Sequence, residues 1–280
     1  MADKVPALSM AFMAVSLVVG VGLPVALFIW YRRVKKAGVL PFFIGCAVMV
    51  LFAFVLEALV KKLILDSEAG AAIQGNIWLY GLFGGAMAGI FEETGRFLAF
   101  KTVLRGQRGN DANALMYGAG HGGIEAIAVL GITSVNNLLY SFLINGGNLS
   151  LLTASLPEEV LGQVDTAVRA LVETPSWHFL MGSAERIFAV VLQIALSVLV
   201  WFAAKKKDRI LLYPLAILLH LIVDAATVIL SGLGMPLLTV EGAIAVLAVI
   251  TALIARAVWK RNAVRTPAAE EAPQGADRQP

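Results

Sequence analysis

The chain has 280 residues, of which 59% are hydrophobic and only 15% are charged, and its formal net charge is +3. Soluble domains carry about a quarter charged residues, so this composition excludes a soluble globular protein and indicates a multi-pass protein of the cell membrane. The single cysteine, Cys46, excludes an internal disulfide and a cysteine-based metal cluster. We therefore expect the lipid bilayer as its surroundings and no nucleic acid as a partner.

Seven apolar segments are predicted to cross the bilayer, because each has about the 20 residues that a spanning helix needs. They cover residues 7–30, 40–60, 77–100, 112–140, 178–203, 210–232 and 236–258. Pro24 lies inside the first segment, where it is positioned to kink the helix. The predicted fold class is all-α, with one transmembrane helical domain over residues 1–260 and a disordered cytoplasmic tail over residues 261–280.

Basic residues predict how these segments are oriented. They follow the first, third, fifth and seventh segments in four clusters: Arg32, Arg33, Lys35 and Lys36; Lys101, Arg105 and Arg108; Lys205, Lys206, Lys207 and Arg209; and Lys260, Arg261 and Arg265. The other loops contain only Lys4, Lys61, Lys62 and Arg169. Because short basic loops stay in the cytoplasm, we expect the N-terminus outside and the C-terminus in the cytoplasm.

Residues 146–177 are predicted to form an external loop with an amphipathic surface helix. Ser155 is its expected cap, Glu158 and Glu159 suit its first turn, and apolar residues follow at helical spacing as far as Leu171. This helix would either lie on the membrane as a lid or connect the fourth and fifth segments, and the connector is the favoured interpretation.

Three of the predicted spans carry ionisable side chains, which are costly in hydrocarbon and usually face a protein interior or a wet cavity. They are Glu92, Glu93 and Arg96 in the third segment, His121 and Glu125 in the fourth, and His220 and Asp224 in the sixth. Counting along each helix places them at overlapping depths, nearer the cytoplasmic side. On each helix two of these residues are four positions apart and share a face, so the three polar faces are predicted to converge.

Small residues near these charges predict close helix packing. Gly81, Gly85 and Gly89 repeat at four-residue spacing, and Glu93 continues their line, so its side chain is expected to turn into the bundle. Glu92 then points about 100° away. Glycines also surround His121 and let another backbone come close: Gly118, Gly120, Gly122 and Gly123.

A second polar set consists of Glu57, Glu185 and Arg186, toward the outer ends of the second and fifth segments. Because its depth differs from that of the first set, we expect a structural ion pair here rather than catalytic residues.

Carboxylates and imidazoles in a wet intramembrane pocket can activate water or hold an ion. In hydrolysis, a carboxylate takes a proton from water, one imidazole positions that water, and a second imidazole donates to the oxyanion. Arg96 would keep one glutamate ionised. A zinc ion is the alternative. The side chains of the right type to bind it are His121, Glu125, His220 and Asp224. Such a site would also need an open position for water.

Three motifs in this order resemble those of the YhfC family of membrane peptidases, which is related to the CAAX-protease/bacteriocin-processing (ABI) families and to PrsW. They are Glu92-Glu93-Thr94-Gly95-Arg96, Gly120-His121-Gly122-Gly123-Ile124-Glu125 and His220-Leu221-Ile222-Val223-Asp224. The resemblance covers most of the chain and implies a glutamate-dependent intramembrane endopeptidase. In it, Glu92 or Glu93 would be the base, with His121 assisting, while His220 and Asp224 would form the oxyanion-side pair. No cofactor is required by this interpretation, and zinc dependence stays open.

Our leading hypothesis is therefore a membrane protease that hydrolyses a peptide bond of a membrane or membrane-proximal protein near the cytoplasmic leaflet. A proton-coupled transporter is the first alternative, because chains of intramembrane Glu and His also relay protons. An odd number of spans and the lack of an evident two-fold repeat favour the protease. A non-enzymatic membrane scaffold is the third hypothesis.

Overall fold

The structure is a computed structural model that describes residues 4–154 and 157–263. In these ranges the regular structure is entirely helical, which confirms the predicted all-α membrane bundle. The predicted cap Ser155 and the predicted tail beyond residue 263 lie outside the described residues. The main helices are α1 (Ala7–Arg33), α2 (Leu40–Leu65), α3 (Glu68–Gln74), α4 (Ile77–Lys101), α5 (Ala112–Asn145), α6 (Glu158–Glu173), α7 (Ser176–Lys205), α8 (Leu212–Gly232) and α9 (Leu237–Asn262).

Six of the described helices are long and apolar enough to cross a membrane, namely α1, α2, α5, α7, α8 and α9. The remaining long helix, α4, has 25 residues, but it carries the charged residues Glu92, Glu93 and Arg96. All three side chains are buried. The six apolar helices are therefore the candidates for crossing the membrane. α4 presents its charges to the interior of the protein, as expected for ionisable groups in a membrane protein.

α4 packs against α8 through its glycine face. A Cβ atom added at Gly85 would lie 2.5 Å from the carbonyl oxygen of Leu221, and the neighbouring glycines of this face also meet the α8 backbone. Only a residue without a side chain permits two backbones to approach so closely. The predicted small-residue contact is thus present, and it places Glu93 beside His220.

Glycines bring α5 equally close to its neighbours. A Cβ atom at Gly120 would lie 2.0 Å from the carbonyl oxygen of Phe42 in α2. On another face of α5, Gly123 packs against Pro24. α1 continues as one helix through Pro24 from Ala7 to Arg33. The glycines around His121 therefore let α5 occupy the centre of the bundle.

Two stretches of π-helix interrupt the regular helical repeat, Met49–Glu57 in α2 and Ile127–Ile132 in α5. A π-helix has i→i+5 hydrogen bonds and often occurs at functional sites. The side chains after such a stretch point in a different direction from the one that continued α-helical spacing would predict. In α2, the residues affected include Lys61, which lines the cavity described below.

Hydrogen bonds show that the basic segments following α1, α4 and α7 and the end of α9 lie together at one end of the bundle. Three contacts connect them: Asn110 Nδ2 to Lys36 O (2.9 Å), Arg108 Nη1 to Ala204 O (2.7 Å) and Lys206 Nζ to Asn262 O (3.0 Å). We call this the basic end.

The predicted amphipathic surface helix is present as α6 at the opposite end. Its Leu171 is buried in a small apolar cluster with Val5, Met13 and Ile144. This cluster attaches α6 to the ends of α1 and α5, and no residue of α6 lines the cavity near Glu92. The packing agrees with the connector interpretation.

Candidate active site

Helices α4, α5 and α8 bring all the predicted site residues into one network, which a residue from α7 completes. Glu93, Arg96 and His121 are fully buried, and Glu92 and His220 are 5% and 2% exposed. Asp224 is the most accessible member, with a side chain that is 38% exposed. The side chains thus become more accessible in the direction of Asp224.

Glu93 anchors the buried side of this network. Arg96 Nη1 donates to both of its carboxylate oxygens, at 3.0 and 2.9 Å, and His220 Nδ1 lies 2.8 Å from its Oε1. Glu93 is fully buried, so its carboxylate contacts only these partners and is not available to a substrate. It fixes the guanidinium of Arg96 and the ring of His220.

Glu92 has a different environment, although it is the next residue along α4. Its Oε2 lies 3.0 Å from His121 Nε2 and accepts a hydrogen bond of 3.0 Å from Gln193 Nε2. Its Oε1 lies 4.0 Å from His220 Nε2, too far for a direct hydrogen bond. Glu92 lines a cavity, so one oxygen is held in place while the other is oriented toward His220.

The two imidazoles are each fixed by a carboxylate. The Nδ1 contact with Glu93 orients His220, whose Nε2 lies 3.6 Å from Asp224 Oδ2. The ring of His121 stacks on Tyr117 with centroids 5.8 Å apart, and its buried Nδ1 has no hydrogen-bond partner. His121 therefore acts on Glu92 through Nε2, which donates when the proton of the neutral ring is on that nitrogen.

Gln193 of α7 is a central site residue that the sequence reasoning missed. Its Nε2 donates to Glu92 and, at 3.1 Å, to Glu125, while its Oε1 accepts from Arg96 Nη2. This orientation of the amide follows from its partners, since a guanidinium can only donate and a carboxylate only accepts. The signal for it was present, because Gln193 is a lone amide in an apolar segment of the fifth predicted span.

The structure corrects the prediction for the second polar set. Arg186 does pair with Glu185, but its Nη1 also donates to Glu125 at 2.8 Å, so this pair belongs to the main network. Glu57 is separate from it and pairs with Lys61 at 2.6 Å. The expected ion pair is thus present, and the long side chain of Arg186 connects it to Glu125 on the neighbouring helix.

A cavity of about 210 Å³ opens beside this network. Glu92, Gln193 and His220 border it, and Glu125 and Asp224 contribute further carboxylates. This volume is large enough for several waters or a short extended piece of peptide. It therefore gives a polar substrate group access to Glu92 and His220, but not to Glu93.

The donor groups do not fit the predicted zinc site. Glu125 is held by Arg186 and Gln193, whereas His121 contacts Glu92, so the four proposed ligands are not directed at one point. Among the described residues, no group of three or more His, Cys, Asp or Glu is arranged to hold a metal ion. The geometry instead gives each imidazole a carboxylate partner.

Comparison with known proteins gives two matches. The family model described as "YhfC intramembrane metalloprotease" matches residues 16–262. The chain is also 36% identical over 228 residues to the "Uncharacterized membrane protein YhfC" of Bacillus subtilis (strain 168), an alignment that covers 79% of this chain and 84% of that protein. No solved structure gives a significant match. Among the residues that the structure describes, no donor set matches the metal in the family description.

Proposed function

The chain belongs to the YhfC family, which is described as intramembrane metalloproteases, and we propose that it is a membrane-embedded endopeptidase. In this proposal its activity depends on a glutamate, with Glu92 as the general base. The observation that carries this proposal is the unequal use of the two Glu92 oxygens. His121 and Gln193 hold Oε2, which leaves Oε1 toward His220 and the cavity. Glu93 is unsuited to the same task because Arg96 and His220 occupy its carboxylate.

The reaction begins with a water between Glu92 Oε1 and His220 Nε2. Their separation of 4.0 Å is a distance that one bridging water fits. Glu92 removes a proton from this water as its oxygen attacks the carbonyl carbon of the peptide. The electron pair of the C=O bond moves to the carbonyl oxygen, and a tetrahedral oxyanion forms.

His220 is placed to stabilise that oxyanion. Glu93 holds its Nδ1, and Asp224 lies near its Nε2, so carboxylates on both sides favour a protonated ring that can donate from Nε2. When the tetrahedral intermediate collapses, the C–N bond breaks and Glu92 returns its proton to the leaving nitrogen. The products are a carboxylic acid and an amine, which become a carboxylate and an ammonium group by proton exchange, and Glu92 is again ionised.

Comparison of the native protein with Glu92→Gln tests this proposal. Membranes containing either protein would be analysed by mass spectrometry for new peptide N-termini, and any cleaved segment would then be assayed with purified protein. We expect the substitution to remove these N-termini and to lower kcat by at least about a hundredfold, the usual contribution of a general base. Glu241→Gln is the matched control, because Glu241 lies in α9 and is not among the residues that line the Glu92 cavity.

Two results would contradict the proposal. One is full cleavage activity in Glu92→Gln. The other is complete loss of native activity on chelation, with recovery on adding one metal that is found bound at one equivalent per chain. The first would exclude Glu92 as the base, and the second would return the chemistry to a metal.

A further inference from the structure

The cavity at Glu92 extends toward the end of the bundle that is opposite the basic end. Its walls beyond the catalytic residues include Gly84 of α4, Glu185 of α7 and Thr227 of α8. Each of these residues lies in the half of its helix that is farther from the basic end. Lys61, near the end of α2, also lines the cavity.

In the other direction a layer of aromatic rings closes the site. Phe100, Tyr117 and Trp201 are all fully buried. The Phe100 ring meets Tyr117 at 4.6 Å and Trp201 at 5.0 Å between centroids, both edge to face. These residues lie between the site and the basic end, because they follow Arg96 on α4, precede His121 on α5 and follow Gln193 on α7. Well-packed rings leave no path for a peptide.

With the ring of His220 protonated, the cavity wall still has one more negative than positive group, and its Lys61 is paired with Glu57. The wall contains four carboxylates and two permanently cationic groups, in addition to His220: Glu92, Glu125, Glu185 and Asp224, with Lys61 and Arg186. Arg186 is already shared between Glu125 and Glu185. Asp224 is the most accessible carboxylate, because its side chain is 38% exposed even though its Oδ2 lies 3.6 Å from His220 Nε2. A cleft lined by one sign of charge concentrates ligands of the opposite sign.

From these observations we propose that the site is reached from the extracytoplasmic side and takes an extended peptide segment with a cationic residue beside the scissile bond. The inference rests on the proposed function for its substrate. It also rests on the basic loops, which mark the cytoplasmic face. The sequence predicts cleavage near the cytoplasmic leaflet, and this proposal keeps Glu92 at that depth. It adds that the substrate enters from the extracytoplasmic side.

The depth of the site limits the kind of segment that fits. Gly84 and Glu92 are separated by eight helical residues, or about 12 Å along α4. An extended chain covers this distance with about four residues. The scissile bond therefore lies at least about four residues away from any folded part of the substrate, in a loose segment or near a chain end.

Cysteine labelling tests the side of access without requiring proteolysis. The native Cys46 is first replaced by serine, and Gly84→Cys is introduced, since a Cβ atom there meets nothing within 4 Å. Right-side-out and inside-out vesicles are then treated with impermeant methanethiosulfonates, one bearing a trimethylammonium group and one a sulfonate. Gly162→Cys in α6 and Gly106→Cys at the basic end are controls for the two sides, because both positions are exposed and unobstructed.

We expect Gly84→Cys to react in right-side-out vesicles, as Gly162→Cys does. Its preference for the cationic over the anionic reagent should exceed that of Gly162→Cys by about tenfold, and adding Glu185→Gln should reduce this preference severalfold. Labelling only in inside-out vesicles, or no labelling from either side, would overturn the access route. An equal charge preference at the two positions would overturn the cationic specificity. If Gly84→Cys does not fold, Thr227→Cys probes the part of the same cavity wall that α8 forms.

A peptide comparison separates this inference from the proposed function. Two peptides that differ only by Lys or Glu beside the cleaved bond are offered to the protein in right-side-out proteoliposomes. Preferential cleavage of the Lys peptide supports the inference, and equal cleavage contradicts it. If neither is cleaved while the labelling results are as expected, the proposed proteolysis fails and the access route stands.

Discussion

Both oxygens of Glu93 are held by Arg96, whereas Glu92 keeps one oxygen toward the cavity. Removing a charge from a buried ion pair leaves the other charge uncompensated, which typically costs about 3–5 kcal/mol. Glutamine at position 93 would leave the guanidinium of Arg96 in that state. Glutamine at position 92 keeps the hydrogen-bonding shape and leaves the Arg96–Glu93 pair intact.

We therefore predict that Glu93→Gln lowers the free energy of unfolding by about 3–5 kcal/mol, while Glu92→Gln lowers kcat by at least about a hundredfold with little change in stability. Denaturant unfolding of the purified variants in detergent measures the first effect, and cleavage measures the second. Glu173→Gln is the control, because Glu173 is exposed on α6. A stable and active Glu93→Gln protein would show that the Arg96 pair is dispensable.

Gln193 connects the base to the rest of the network, since it touches Glu92, Glu125 and Arg96. We predict that Gln193→Ala lowers kcat by about tenfold or more with little change in KM. The reason is that Glu92 Oε2 loses one of its two donors and a single hydrogen bond to a charged group contributes about 1.5–3 kcal/mol.

Steady-state kinetics on any cleaved peptide measures this effect. The exposed Gln163 of α6 provides the matched control, Gln163→Ala, which should behave as the native protein. A rise in KM with kcat unchanged would instead indicate that Gln193 contacts the substrate.

At the scale of helices, the contact between α4 and α8 determines whether Glu93 reaches His220. A methyl group at Gly85 would lie 2.5 Å from the backbone oxygen of Leu221, whereas one at Gly84 meets nothing within 4 Å. Backbone cannot yield as a flexible side chain does, so the two helices would have to separate. We predict that Gly85→Ala destabilises the protein by about 1–3 kcal/mol and that Gly84→Ala does not.

Unfolding of these two neighbouring variants under the same conditions checks the prediction. Because both changes replace glycine by alanine inside the same helix, the intrinsic helix propensity gained is equal and cancels. Equal stability of the two variants would mean that the α4–α8 contact relaxes at no cost.

The same helices show what could be predicted from the sequence. The four-residue spacing of Gly81, Gly85, Gly89 and Glu93 identified the packed face, because helical periodicity is a local property. The pairs of ionisable residues four positions apart were likewise found together. Neighbouring Glu92 and Glu93 could not be assigned separate tasks in advance, since their tasks depend on partners supplied by other helices.

Two features lay beyond sequence reasoning for physical reasons. The π-helical stretch Met49–Glu57 changes the direction in which the following residues of α2 point, and the hydrophobic pattern does not reveal it. The contact between Arg186 and Glu125 joins residues 61 positions apart and depends on how α5 and α7 pack. Such pairings follow from tertiary structure rather than from spacing.

For the whole molecule, the arrangement of charge and hydrophobicity is consistent with the position of the site. Six apolar helices are suited to the bilayer, and the buried charges of α4 lie among them. Each ionisable group at this depth has a partner of opposite charge or a hydrogen-bonding neighbour, which lowers its cost in an apolar surrounding. The polar cavity interrupts this apolar surrounding, and it opens toward only one end of the bundle.

The orientation of the bundle decides which compartment that cavity faces. We predict that a fluorescent protein fused after the C-terminal residue Pro280 will fluoresce, and that alkaline phosphatase fused there will be inactive. Phosphatase inserted at Gly147, in the turn that follows α5, should be active, because the segment between α5 and α7 carries few basic residues. The reverse pattern would leave the chemistry at Glu92 unchanged, but it would turn the cavity toward the cytoplasm. Substrates would then have to be cytoplasmic segments, so this measurement decides the compartment independently of any assay of cleavage.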